Sequence, residues 1–540
     1  MRRVLTVVMD GVGVKEDRFG NAVMAAKTPN LDALKTKSLY RTLLAHGTAV
    51  GLPSDTDIGN SEVGHNALGA GRVFDQGAKL VQNAIQSKSL YQSTTWRKLI
   101  DGCVDGGALH FIGLLSDGNV HSHENHLYAM MKQAVSEGVK RMVVHPLLDG
   151  RDVGEKSAET YVANLESLLQ ELVAAGVDAQ VGSGGGRMEI TMDRYNADWS
   201  MVKRGWDAHV LGHAPHKFHS ISEALKFFRQ DSKLTDQYLP AFVIVDESKQ
   251  PVGTVEDGDS VVMFNFRGDR AIEISRAFTE IDFSEFDRIR TPEVFYAGMM
   301  QYDGDLRIPE QFLVQPPLID QTLGAYLSVR GVRQFACSET QKFGHVTYFW
   351  NGNRSGKFDE KLETYVEIPS DIIPFDQKPE MKAQEITQAT IRAMKHHTFD
   401  FGRINLANGD MVGHTGVFEA AVRAMETVDH CIGQLMAVAE ETDTILLITA
   451  DHGNCDEMFS GKEDAYPNWQ NGPQFCPPPK TAHSINPVPC YIFDPKNLKQ
   501  WRFSEVGDAT LANIANTVLV LMGLPRCDIF LPSLVEGDSQ

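Results

Sequence analysis

The sequence predicts a layered α/β protein of two domains, and three observations carry that expectation. At 540 residues the chain is too long for one ordinary core. Short apolar runs recur along it, of the kind that strands buried on both faces show. Helical stretches stopped by glycine lie between them, and repeated strand–helix alternation means a parallel sheet.

The first run, Val4-Leu5-Thr6-Val7-Val8-Met9, reads as a buried strand and ends abruptly in Asp10-Gly11-Val12-Gly13. Thr28-Pro29-Asn30 starts a helical stretch. Gly47–Pro53 and Asp55–Asp57 then lead to Gly59-Asn60-Ser61-Glu62-Val63-Gly64-His65, a serine between glycines on a loop that opens a helix. From about residue 78 the alternation starts afresh. Ala108–Leu115 is a strand, Glu124–Glu137 a helix stopped by Gly138, Arg141–Leu148 a strand, and Ser157–Ala175 a helix stopped by Gly176. Gly182-Ser183-Gly184-Gly185-Gly186 reads as a loop, and Ser260–Phe266 as a strand. The Pro-rich stretch Leu306–Pro317 marks a second boundary. Beyond it Arg403–Ala407 and Thr444–Thr449 read as strands, Phe418–Glu441 and Asp508–Met522 as helices, and Pro467–Pro479 as a surface loop.

Composition bounds the function. With 42% hydrophobic and 23% charged residues the chain is of globular type, and a formal charge of -20 argues against nucleic acid or anionic membrane as partner. A phosphorylated substrate would need a local cluster of Arg and Lys. The 7 cysteines are scattered and form no CxxC pair, which fits a reducing compartment. Val4–Met9 is too short for a signal segment or a membrane span, and Gly537-Asp538-Ser539-Gln540 carries no retention signal, so the cytosol is expected.

Three runs finish on an aspartate: Met9-Asp10, Asn408-Gly409-Asp410 and Ala450-Asp451. Ligands of open parallel sheets sit beyond the carboxyl ends of strands, so these three are expected to converge. Histidines accompany them. His414 follows Asp410, His452 follows Asp451, and His483 stands in Thr481-Ala482-His483-Ser484. Carboxylate with imidazole suits Mn, Zn, Co or Fe better than Ca. Any one of them is more often a turn or capping residue; as a set at strand ends, metal binding outweighs that reading. Ser61 by itself reads as a polar cap, and G-x-S-x-x-G is not the hydrolase elbow. Beside two metals it reads as a nucleophile for phosphoryl transfer, with the flanking glycines letting metals and phosphate approach the backbone.

Five further stretches complete the pattern. They are Leu115–His123, Asp149-Gly150-Arg151-Asp152, Met192-Asp193-Arg194, Phe264-Asn265-Phe266-Arg267-Gly268-Asp269-Arg270, and Gln341-Lys342-Phe343-Gly344-His345-Val346-Thr347. Together the motifs resemble the alkaline phosphatase superfamily. More closely, over nearly the whole length, the chain resembles the cofactor-independent phosphoglycerate mutases of plant and trypanosomatid type.

That resemblance implies a discontinuous phosphatase-like metal-binding domain, residues 1–77 and 314–540, with a phosphotransferase domain, 78–313, inserted in it. It implies an isomerase of glycolysis and gluconeogenesis that interconverts 3-phosphoglycerate and 2-phosphoglycerate through a phosphoserine, with the domains closing on substrate. Ser61 is then nucleophile and metal ligand. Asp10, Asp451 and His452 hold one metal with it, and Asp410, His414 and His483 hold the other. Lys342 lies beside the phosphate, and His123, Arg151, Asp152, Arg187, Arg194, Arg267, Arg270 and Lys342 hold the substrate. Two divalent ions are implied, manganese first with cobalt or magnesium as alternatives, and no 2,3-bisphosphoglycerate. The expected partner is the small-molecule substrate alone, on a monomer, with no nucleic acid and no membrane.

The residues agree with this reading. Guanidinium forks recognise carboxylate and phosphate bidentately, and the proposed arginines all lie in the middle segment of an acidic chain. Each alone is more often a surface charge, and His123 equally reads as the cap of the helix after it. The alternative is a metal-dependent phosphatase of the same superfamily, which needs no such arginines. Departures from the bacterial pattern are Ser54-Asp55-Thr56-Asp57-Ile58, the spacing of Arg187 and Arg194, and the insertions Asn351–Phe358 and Pro467–Pro479.

Overall fold

The apolar run at the start of the chain is the strand Arg3–Met9, buried from Val4 onward and paired in parallel on both sides. The computed structural model describes all residues except 105, 195, 305, 473, 474, 497 and 538–540. Two positions of the 467–479 segment and the last three of the chain therefore lie outside the described residues. The chain divides into two compact units, Met1–Gln76 with Leu318–Gln540, and Gly77–Pro317.

In the first unit Arg3–Met9 lies between Phe401–Leu406 and Thr444–Thr449 in a seven-stranded sheet. Gln334–Glu339 and Glu363–Ile368 continue it in parallel on one side. On the other side Val488–Phe493 and Leu39–Leu43 run antiparallel, so the sheet is mixed where simple alternation predicts a parallel one. The reason lies in the connection. A parallel return needs a crossover, generally a helix. Between Thr449 and Val488 the described residues hold only short helical turns, so the chain turns back beside its own strand. That leaves both ends of the connection, with His452 near its start and His483 near its finish, at the carboxyl end of the strand Thr444–Thr449. The ends are level: Met9 pairs with Leu406, and Val8 with Thr449.

The second unit carries a nine-stranded sheet centred on Leu109–Leu115 and Arg141–Leu148, which pair in parallel. Gly182–Gly186 is not the loop its composition predicts. Ser183–Gly186 is a buried strand that pairs with Leu147 and Leu148 on one side and runs antiparallel to Phe242 and Val243 on the other. Close packing explains the glycines: a Cβ at Gly184 would lie 2.8 Å from the Pro146 carbonyl oxygen, and one at Gly186 2.4 Å from that of Gln237.

Two smaller differences concern the end of the chain. The closing helix, Ile514–Met522, starts after a short tight turn at Leu511–Asn513 and not at Asp508. In the 467–479 segment Trp469 is buried against Phe19 and Phe459, with ring centroids 5.8 and 5.7 Å away, so an aromatic anchor ties that loop down. Among the described residues no helix is long and apolar enough to cross a membrane.

Candidate active site

The carboxyl ends of three adjacent strands place Asp10, Asp410 and Asp451 together. Asp10 follows Arg3–Met9 directly, Asp451 follows Thr444–Thr449 by one residue, and Asp410 sits in the short helix Asn408–Gly413. All three are buried. Lys342, also buried, bridges two of them, its Nζ lying 2.8 Å from Asp10 Oδ1 and 2.7 Å from Asp410 Oδ2. Ligand atoms of Asp410, His414 and His483 lie within 4.8 Å of one another, as do those of Asp10, Asp410 and His452, and of Asp10, His65 and Asp451.

The donor sets fit cations. Both His414 Nδ1 and His483 Nδ1 face backbone carbonyls at 2.7 Å, of Thr481 and Gly59. A carbonyl only accepts, so each Nδ1 carries a proton and each ring turns its Nε2 inward. The two Nε2 atoms stand 2.9 Å apart, and each is within 3.0 Å of Asp410 Oδ1. Two imidazole nitrogens and a carboxylate oxygen converge there, a donor set that suits a divalent cation. Asp451 Oδ2 is buried with no hydrogen-bond partner, although His65 Nδ1 is 3.2 Å away, because that nitrogen is directed at the Ser61 carbonyl at 2.8 Å. Three buried carboxylates against the Lys342 ammonium leave the cluster short of positive charge, which a protein interior tolerates poorly.

The electrostatics follow. Burial, with the neighbouring Asp451 charge, raises the Asp10 carboxyl to about 7. Burial also opposes ionisation of Asp410, but the Lys342 ammonium holds it well below the usual carboxylate range. Burial pushes the His452 imidazole down to about 3, so it is a neutral ligand at physiological pH.

Ser61 is the first residue of the helix Ser61–Ala70, and it is not the cap. Asn60 is, its Oδ1 accepting from the Val63 N–H at 3.1 Å. The serine hydroxyl is thereby left for the site. Its Oγ is 2.9 Å from His452 Nε2 and 3.4 Å from Asp10 Oδ1, and it accepts from Lys342 Nζ. The flanking glycine Gly64 makes room for protein: a Cβ there would lie 2.7 Å from the Asp451 carbonyl oxygen. Backbone approach is the reason for the glycine, as the sequence suggests, but the approaching group is the metal-site loop itself.

In the second unit Arg151, Arg187, Arg194, Arg267 and Arg270 are all buried. Carboxylates hold Arg187, Arg194 and Arg267 in place. Arg187 Nη1 donates to Asp149 at 2.7 Å and also to Asp152, while Arg194 Nη1 donates to Asp269 at 3.2 Å. Arg267 Nε is 3.1 Å from Asp269, and Arg270 Nη1 donates to the Met192 carbonyl at 2.6 Å. Burial first, then the charges of Arg194, Arg187 and Arg151, push the Arg270 guanidinium well below its ordinary value. So dense a set of cations favours an anion among them. His123 caps the helix Glu124–Ser136, its Nδ1 accepting from the Asn125 N–H at 3.1 Å, which is one of the two readings the sequence leaves open.

Several site residues escape the sequence reading. Asn405 donates to Asp10 Oδ2 at 2.6 Å and faces His65 Nε2 at 3.2 Å, so with the Ser61 carbonyl it fixes the orientation of His65. A buried amide inside the apolar run Ile404-Asn405-Leu406 is the signal that marks it. His121, two residues before His123, is buried beside the arginines, and burial followed by the charges of Arg187, Arg267 and Arg270 drives it well below its usual value. Asp149 and Asp269 stand inside motifs already singled out, as partners of the arginines.

An α/β sheet whose strand ends gather carboxylates, imidazoles and a capped serine defines a metal-dependent enzyme, and the chain matches the metalloenzyme superfamily over residues 2–526. A probable 2,3-bisphosphoglycerate-independent phosphoglycerate mutase of Leptospira interrogans is 52% identical over 542 residues, covering 100% of this chain and 98% of its own. The 2,3-bisphosphoglycerate-independent phosphoglycerate mutase of Trypanosoma brucei brucei is 50% identical, with 99% and 97% covered. The phosphoglycerate mutase of Leishmania mexicana, whose crystal structures were determined at low cobalt concentration, superposes with a TM-score of 0.96 at 49% identity, covering 99% of this chain and 98% of its own. The chain belongs to the 2,3-bisphosphoglycerate-independent phosphoglycerate mutase family.

Proposed function

We propose that the chain interconverts 3-phosphoglycerate and 2-phosphoglycerate through a phosphoserine on Ser61, without 2,3-bisphosphoglycerate. One observation carries the reading: a buried serine hydroxyl lies against an ammonium and an imidazole, among acceptors arranged for cations. Asp410, His414 and His483 would hold one divalent ion, and Asp10, Asp451, His452 and Ser61 a second. Manganese is the first choice for both, with cobalt or magnesium as alternatives. Such ions, when bound, supply Lewis-acid neutralisation of phosphoryl charge.

The chain's own residues do the rest. Asn60 and the helix it caps aim Ser61 Oγ, and Lys342 stabilises negative charge on that oxygen. As the Oγ–P bond forms, the bond from phosphorus to one glycerate oxygen breaks, and that oxygen takes up a proton. The second half reverses this toward the neighbouring hydroxyl and frees Ser61. Arg151, Arg187, Arg194, Arg267 and Arg270 hold the carboxylate and phosphate, with Asp152 orienting Arg187. His123 caps its helix through Nδ1, which leaves an Nε2–H to donate to an anion. Retaining glycerate between the two halves is what separates a mutase from a phosphatase, and the buried guanidiniums favour retention. On this reading 77–317 is a substrate-holding transferase domain, and the remainder a phosphatase-like metal domain.

The test supplies 3-phosphoglycerate with Mn, omits the bisphosphate, and couples product to enolase. Formation of 2-phosphoglycerate without free phosphate is expected; free phosphate alone would return the phosphatase reading.

A further inference from the structure

A line of buried hydrogen bonds crosses the second unit, and the proposed chemistry makes no use of it. It begins at Asp259, whose carboxylate accepts from the Ala108 N–H at 2.7 Å, the Glu256 N–H at 2.8 Å and His110 Nε2 at 3.0 Å. His110 Nδ1 meets His145 Nε2 at 3.0 Å, and His145 Nδ1 meets Ser183 Oγ at 2.7 Å. Ser183 Oγ meets His209 Nδ1 at 2.8 Å, and His209 Nε2 meets Thr191 Oγ1 at 2.9 Å. All six side chains are buried.

Burial pushes the His209 imidazole down to about 3 and His145 well below its ordinary value, so both are neutral. With His110 neutral as well, the direction of every link follows from the carboxylate end. His110 donates to Asp259 and accepts from His145, and His145 accepts from Ser183. Ser183 accepts from His209, and His209 accepts from the Thr191 hydroxyl. Each group between the two ends then has one donor and one acceptor role, so on that condition the line has one arrangement of protons and tautomers.

What the line ends on is a strained turn. Thr191, a β-branched residue, has a φ of 68°, in the left-handed region that costs such residues most. The Met192 N–H donates to the Ile190 carbonyl at 2.7 Å, closing a tight three-residue turn around it. The helix Trp199–His209 presses on the same hydroxyl, since a Cβ at Gly205 would lie 2.1 Å from Thr191 Oγ1. Directly after the turn, the Met192 carbonyl accepts from Arg270, and Arg194 reaches Asp269.

We infer that Asp259, His110, His145, Ser183, His209 and Thr191 are positioning residues that hold the strained turn at Thr191 and so place Arg194 and Arg270 for phosphoglycerate. The inference rests on the reading of those arginines given under the proposed function. A run of six polar side chains in a core contributes orientation that apolar packing would not.

The test compares the full-length chain with Thr191→Val, which keeps the shape and removes the hydroxyl, and Thr191→Ser, which keeps the hydroxyl. With 3-phosphoglycerate and Mn, Thr191→Val should lower kcat/KM by about tenfold, carried by KM, while Thr191→Ser stays within about threefold of the parent. An unchanged KM in Thr191→Val, or no rescue by Thr191→Ser, overturns the inference. Should Thr191→Val fail to fold, histidine-selective ¹⁵N spectra of the parent decide it. A neutral His209 protonated at Nδ1 is expected, and the opposite tautomer or an imidazolium overturns the inference. A parent chain that makes no 2-phosphoglycerate defeats the proposed function instead. Calorimetric binding of 3-phosphoglycerate to the same variants then decides this inference, with weaker binding to Thr191→Val alone supporting it and equal binding overturning it.

Discussion

Ser61 Oγ is buried and has an ammonium on one side and an imidazole on the other, so removing it removes the hydroxyl proposed to carry the phosphoryl group. Ser61→Ala should cut turnover by roughly 10⁴-fold or more in the enolase-coupled assay while 3-phosphoglycerate still binds in calorimetry. Asp10 makes a pH-dependent prediction. Its carboxyl is raised to about 7, so below that pH it holds a proton that a metal must displace. Affinity for Mn should therefore weaken as pH falls below 7, by about tenfold per pH unit if this one proton governs it. Titration calorimetry between pH 5.5 and 8.5 checks this (a range of about three units), and a flat profile contradicts the role of Asp10. The opposite sign applies to folding without metal. A carboxyl raised in the fold stabilises the protein at low pH, and that contribution is lost as pH rises through about 7.

The elements show what composition reveals and what it hides. The aspartates were legible as a set because three apolar runs each lead to a carboxylate, with histidines close by in sequence, and the register of Met9, Leu406 and Thr449 levels the three ends. Ser183–Gly186 was not legible, because glycine signals a turn locally, whereas here it answers to the Pro146 and Gln237 carbonyls pressing from elsewhere in the chain. Asn405 and His65 were hidden for a similar reason: their roles are fixed by partners distant in sequence. Two substitutions test the elements. Asn60→Ala removes the cap over Ser61 and should cost about 1 kcal/mol of stability in denaturant unfolding, with a loss of activity larger than that cost explains. Gly64→Ala places a Cβ 2.7 Å from the Asp451 carbonyl. It should lower stability by about 1–3 kcal/mol and weaken Mn binding, measured by melting with and without the metal.

Across the whole molecule, a net charge of -20 coexists with two local departures from it. One is the buried ammonium of Lys342 among three carboxylates, the other five buried guanidiniums gathered around Asp149, Asp152 and Asp269. On the proposed function the first would take divalent ions and the second the anionic substrate. Mn at about 100 times its dissociation constant should add about 2.7 kcal/mol of stability, and a chelator should remove it, read as opposite shifts of the thermal midpoint.

The central claim is that Ser61 is a temporary carrier of the phosphoryl group. Acid quenching of the Mn-loaded chain during turnover of 3-phosphoglycerate, followed by peptide mass spectrometry, tests it most directly. Phosphate should be found on Ser61, and no phosphopeptide should form in Ser61→Ala. Sustained turnover with Ser61 unmodified, or with phosphate on another residue, would contradict it.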